Sequence, residues 1–180
     1  MNFLIRIYDV LYYSHEPKSQ IQIEIDRIIK EDPKISYLNK KMKVPIIIKE
    51  CGEGIRSLYH IKNKEIWVDP FRNDINSLEE PLLHEFIHAY DHLVNKIPLS
   101  TVNGLARSEI HAMKLCECKN AWFVKRCTKQ KAIEAVSLSI NNEERAESVV
   151  NEVFNEDTKI DKPSIASLPT SNSNGGPLVV

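Results

Sequence analysis

The chain has 180 residues, 42% hydrophobic and 27% charged, with a net charge of −1 at pH 7. That is enough length and apolar content for one domain with its own core, and no apolar run reaches the ~18 residues of a membrane-spanning helix. The near-neutral charge excludes nucleic-acid or anionic-membrane binding by bulk electrostatics, though it leaves room for a local patch.

The first twenty residues are apolar at the outset, with only Arg6 before Asp9. They show neither a small-residue cleavage site nor an Arg-rich pattern, so no secretory or transit signal is expected. Ile21, Ile25, Ile28 and Ile29 in "SQIQIEIDRIIKEDP" recur at helical spacing, and Pro33 stops that helix. Residues 1–40 are therefore expected as an N-terminal helical segment. "VPIIIKE", 44–50, reads as a short strand, and "CGEGIR" turns the chain. "SLYHI" and "EIWV", joined by "KNK", read as a hairpin.

Ser77 and Glu80 form a capping-box pattern ahead of a helix expected to run to about Asn95. Further helices are expected over about Val102–Cys118, Cys127–Ser139, and from near Asn142. From Pro163 onward no side chain is charged, and Ser, Asn, Pro and Gly dominate. Residues 158–180 are expected as a disordered tail. The expected class is α+β: a small antiparallel sheet packed with helices, in one domain over residues 1–157.

The chemistry concentrates in "EEPLLHEFIHAYDHLVNKIP", 79–98, which places His84, Glu85, His88, Asp91 and His92 among apolar residues. On a helix, positions 84, 88, 91, 92 and 95 line one side, and the other stripes are apolar. A buried helix with one polar strip needs partners for that strip. His84 and His88 are one turn apart, so two imidazoles can converge on one zinc ion. Glu85 lies beside them as a general base toward water. This is the H-E-x-x-H arrangement of zinc metalloproteases.

A catalytic zinc usually has a third protein ligand. His92 lies about 12 Å along the axis from His84, too far to share one ion on a straight helix, and no glycine bends "HAYDHL". Asp91 meets the same objection; it suits a hydrogen bond to a ligand imidazole, or it is a solvated acid near a helix end. Glu109 is the better third ligand; the alternative is a glutamate that pairs with Arg107 or reaches the surface. Glu109 is the only charged residue in the stripe Val102, Leu105, Ala106, Glu109, Ala112, Met113, Cys116, and a glutamate facing a core demands a cation. His111 falls with Arg107, Ser108 and Lys114 on the polar face.

Cys51, Cys116, Cys118 and Cys127 are too few for a disulfide scaffold but enough for a bridge or a second metal site. Buried thiols or one disulfide is the simpler reading. "EIWV" precedes the active helix; it is either an edge strand that holds a peptide or a strand in the core of the sheet.

"HEFIHAYDH", "RSEIHAMKLCEC", "CTKQKAIEAVSLSI" and "VVNEVFNED", in that order, resemble the mitochondrial inner-membrane metalloprotease family that acts in ATP synthase assembly. The resemblance covers roughly Lys43 to Asp157 of a divergent member. It implies a zinc peptidase on the intermembrane-space side of the inner membrane, with an ATP synthase membrane subunit as substrate. It implies His84 and His88 as metal ligands and Glu85 as base, and Glu109 matches the acidic residue of the family's later segment. Cys51, Cys118 and Cys127 resemble family cysteines that can form disulfides. Peripheral membrane association is compatible with it, and a cytoplasmic location is the alternative.

Two functions remain in view: a zinc endopeptidase, and a non-catalytic assembly or chaperone module that keeps zinc for stability. Glu85 favours the first, because a structural site has no use for a base there.

Overall fold

The computed structural model describes residues 18–157. The apolar N-terminal stretch and the expected tail, 158–180, lie outside the described residues. Residues 18–31 form α1, with Ile21, Ile25 and Ile28 as its buried stripe. It ends ahead of Pro33 as expected, but Asp32 and Pro33 also open a second helix, α2, Pro33–Met42. The Asp32 side chain accepts a hydrogen bond from the Ile35 N–H at 2.7 Å, and proline is tolerated in a first turn. Lys43, at φ 53°, ends α2 in the left-handed region.

Three short strands follow: β1 (Ile46–Ile48), β2 (Ser57–His60) and β3 (Glu65–Val68), in the order β1-β3-β2. The class is α+β as expected, but the sheet is mixed rather than antiparallel. β2 and β3 form the expected hairpin, with Ser57 opposite Val68, while β1 runs parallel to β3, with Ile46 opposite Ile66. The reason is the crossing at 49–56. Gly52 (φ 108°) and Gly54 (φ 76°) supply turns that side chains resist. The chain thereby reaches the far side of the sheet before the hairpin inserts β3 in the middle. "EIWV" is thus the central strand and β2 is an edge.

A 3-10 turn, Ile75–Ser77, leads into α3, Glu79–Leu93. The expected capping box does not form. Leu78 is the N-cap and offers no side-chain bond. Ser77 is still inside the 3-10 turn, where its hydroxyl accepts from Arg56 Nη2 at 3.0 Å and donates to the Asp74 carbonyl at 3.4 Å.

α4 spans Val102–Leu115, α5 Val124–Ile140 and α6 Glu143–Asp157. Thr101 caps α4 by accepting from the Gly104 N–H at 3.1 Å. Among the described residues the buried apolar side chains form two clusters. One joins α1, α2, the sheet and α3, and includes Ala112 of α4 and Cys116, which caps that helix. The other joins Ala106, Ile110 and Met113 of α4 to Ala132 and Val136 of α5 and Ala146, Val150 and Val153 of α6. α4 therefore serves both cores, and this pins its register against α3.

Candidate metal centre

α3 buries Leu82, Leu83, Phe86, Ile87, Ala89 and Tyr90, so the helix is held by apolar contact around most of its circumference. That fixes the direction of the remaining strip. His84 and His88 stand one turn apart with ring centroids 4.6 Å apart. α4 packs across them and delivers Glu109, which is 7% exposed. Its Oε2 lies 3.6 Å from His84 Nε2 and its Oε1 3.4 Å from His88 Nε2. One donor atom from each of the three side chains lies within 4.8 Å of the others.

The donor set fits a metal ion on two grounds. Ligands about 2.0–2.1 Å from one ion at tetrahedral angles lie ~3.3 Å apart, close to the separations between Glu109 and the two rings. Glu109 Oε2 is also buried and accepts no hydrogen bond, an orphan that a cation would satisfy.

The far nitrogens of both rings are held as well. His84 Nδ1 lies 2.9 Å from Glu117 Oε1, and His88 Nδ1 lies 2.7 Å from Ser108 Oγ. With Nδ1–H donated outward on each ring, both Nε2 atoms face Glu109. Burial lowers the pKa of His84, but the carboxylates of Glu109 and Glu117 outweigh it and hold the ring well above its ordinary value. Burial likewise raises Glu109, and the His88 charge with the close contact of both rings reverses this, leaving the carboxyl well below the usual range. Glu117 is lowered too: the His84 hydrogen bond and charge overcome burial.

Glu85, 6% exposed, sits next to His84 in the chain and accepts a hydrogen bond from Ser57 Oγ at 3.0 Å. It is thus anchored to the edge strand β2. Nearby, burial and the charges of Asp69 and Glu85 push the Cys51 thiol up to about 11.

The other sequence candidates lie elsewhere. His92 Nδ1 meets the Tyr59 hydroxyl at 2.9 Å. Burial pushes Tyr59 up to about 12, so the hydroxyl stays protonated. Asp91 is 0% exposed and neither solvated nor bonded to a ligand imidazole. It accepts from His111 Nδ1 at 2.9 Å and from Asn95 Nδ2 at 2.8 Å. Arg107 pairs with Glu156 at 2.9 Å.

Sequence reasoning missed Ser108, Glu117 and Ser57. Ser108 falls on the face read as polar, but it is fully buried against His88. Glu117 lies past the end of α4, where helical spacing gives no direction. Only the pairing of β2 with α3 brings Ser57 to Glu85. Cys118 and Cys127 form a disulfide with Cα atoms 5.8 Å apart, which leaves Cys116 a buried thiol and Cys51 a half-buried one. Among the described residues, His84, His88 and Glu109 are the only group of three His, Cys, Asp or Glu side chains so arranged.

The chain is 37% identical over 92 residues to the mitochondrial inner membrane protease ATP23 of Meyerozyma guilliermondii, covering 43% of this chain and 38% of that protein. It is 31% identical over 127 residues to the protein of the same name from Debaryomyces hansenii, covering 62% and 54%. For the Scheffersomyces stipitis protein of that name the identity is 35% over 92 residues, covering 43% and 38%. The matches thus span about 38% to 54% of the length of these relatives. No solved structure matches the chain. The profile of the peptidase M76 family matches residues 19–163, a stretch that contains the whole His84, His88 and Glu109 group together with Glu85, and the chain belongs to that family.

Proposed function

We propose that this chain is a zinc-dependent metalloendopeptidase in which His84 Nε2, His88 Nε2 and the Glu109 carboxylate hold the ion and Glu85 is the catalytic base. The observation that carries this reading is the convergence of two imidazoles from α3 and one carboxylate from α4, with their donor atoms within 4.8 Å. Two histidines and one glutamate are a donor set suited to catalytic zinc, which when bound polarises a carbonyl and makes water acidic enough to lose a proton near pH 7.

The chain's own residues do the rest. Glu85 takes the proton from the attacking water and passes it to the leaving amine. Ser57 fixes one oxygen of that carboxylate. Glu117 and Ser108 lock the two rings in the tautomer that presents Nε2. β2 is an edge strand, and it carries Ser57. A substrate segment adding to that edge by backbone hydrogen bonds would be held beside the base.

The relatives' name supports a mitochondrial inner-membrane setting. Among the described residues no helix is long and apolar enough to cross a membrane. The family resemblance further supports the intermembrane-space side and an ATP synthase membrane subunit as substrate.

The test is Glu85→Gln. Zinc content stays at the wild-type level, and cleavage in a peptide library falls by 10²-fold or more. Equal turnover by that variant removes the base from Glu85. Absence of cleavage by both proteins, with zinc bound, favours the non-catalytic assembly module instead.

A further inference from the structure

The disulfide Cys118–Cys127 closes a loop of sequence "CKNAWFVKRC". Its tip carries Trp122, 90% exposed, and Phe123, 68% exposed. Trp122 is the most exposed large apolar side chain among the described residues. Beside the pair in sequence are Lys119, Lys125, Arg126, Lys129 and Lys131, and residues 118–133 contain no Asp or Glu. None of the five cations forms an ion pair among the described residues. In a chain of net charge −1, this is a local reversal of sign.

We infer that the Trp122–Phe123 tip and its basic flank form a docking surface for an anionic lipid bilayer. A tryptophan this exposed has almost no protein wall beside it, so it does not line a pocket of the kind that grips a polypeptide side chain. A bilayer interface supplies its own surface. Indole and phenyl rings settle at headgroup depth, and neighbouring Lys and Arg are drawn to anionic headgroups. The disulfide keeps the rings with Lys119, Lys125 and Arg126 in one short loop, so little order is lost on docking.

The location has a consequence that rests on the proposed peptidase reading. The loop opens one residue after Glu117, whose carboxylate holds His84. Docking through this loop sets the metal centre beside the membrane surface, where it meets polypeptide segments emerging from the bilayer.

Flotation of the full chain with vesicles of phosphatidylcholine alone, and of phosphatidylcholine with phosphatidylserine, tests the docking. Binding is expected to the anionic vesicles and to fall with added salt. Trp122→Ser/Phe123→Ser weakens it tenfold or more, with the melting temperature unchanged because both rings are exposed. Lys125→Gln/Arg126→Gln weakens it about thirtyfold. Anionic vesicles also shift wild-type tryptophan emission to the blue, and the aromatic variant loses that shift. Glu85→Gln binds vesicles as the wild type does, so loss of the peptidase assignment leaves this result standing. The inference is overturned if the wild type stays unbound on anionic vesicles, or if the aromatic variant binds like the wild type. Weakened peptide KM in the aromatic variant, with no vesicle binding by the wild type, assigns the rings to substrate instead.

Discussion

An imidazole offers two nitrogens, and the hydrogen bond at one decides what the other can do. Here Glu117 and Ser108 take the Nδ1 sides and leave both Nε2 atoms facing Glu109. Partners of this kind typically contribute 10- to 100-fold in metal affinity. Ser108→Ala and Glu117→Gln should therefore each weaken zinc binding by about that factor, read by competition with a chromophoric chelator. The same residues set a pH dependence. Glu109 and Glu117 hold His84 well above its ordinary pKa, whereas Glu109 stays ionised because its own pKa is depressed. Zinc needs the lone pair of neutral Nε2, so loading displaces a proton and affinity falls as pH falls. Calorimetry in buffers of different ionisation enthalpy should show proton release near neutral pH; a binding heat independent of buffer would contradict it.

At the scale of elements, the decisive contact is α3 against α4. Its geometry is held where the two helices meet the connecting loop. A Cβ placed on Gly104 would lie 2.2 Å from the Pro98 carbonyl oxygen. That is backbone, so it cannot swing aside. Gly104→Ala should cost about 1–3 kcal/mol, read by chemical denaturation. It should also lower zinc affinity, because α4 shifts with Glu109 on it. Unchanged stability would mean that the loop yields freely. The sequence already made this pairing legible: the apolar stripe of α4 with Glu109 embedded in it, and the two histidines a turn apart on α3. The elements that were misread share a cause. The capping box at Ser77 failed because a 3-10 turn occupies the serine, and within the expected N-terminal helical segment the restart as α2 went unread although Asp32 and Pro33 form a helix start. Local signals there compete with neighbours that periodicity does not see.

For the whole molecule, two apolar clusters meet on α4, and the proposed ligands lie where they meet. Spacing could assign each ligand to a helix. It could not supply the residues that arrive from a third body. Ser57 comes from an edge strand and Glu117 from beyond a helix end. The mixed sheet, with β3 between β1 and β2, follows from a crossing that no strand pattern encodes. Asp91 and His111 illustrate the same limit. Asp91 reads as a partner of a ligand imidazole or a solvated acid and His111 as a polar-face group, yet they pair with each other across the α3–α4 contact. That pairing gives the account its sharpest control, because His111 lies two residues from Glu109 on the same helix and binds a different partner. The direct measurement is the zinc-to-protein ratio, by elemental analysis, of the wild type, Glu109→Ala and His111→Ala. The expected result is stoichiometric zinc in the wild type, most of it lost from Glu109→Ala, and near-wild-type content in His111→Ala. Full zinc in Glu109→Ala with loss from His111→Ala would place the third ligand elsewhere and contradict the metal centre described.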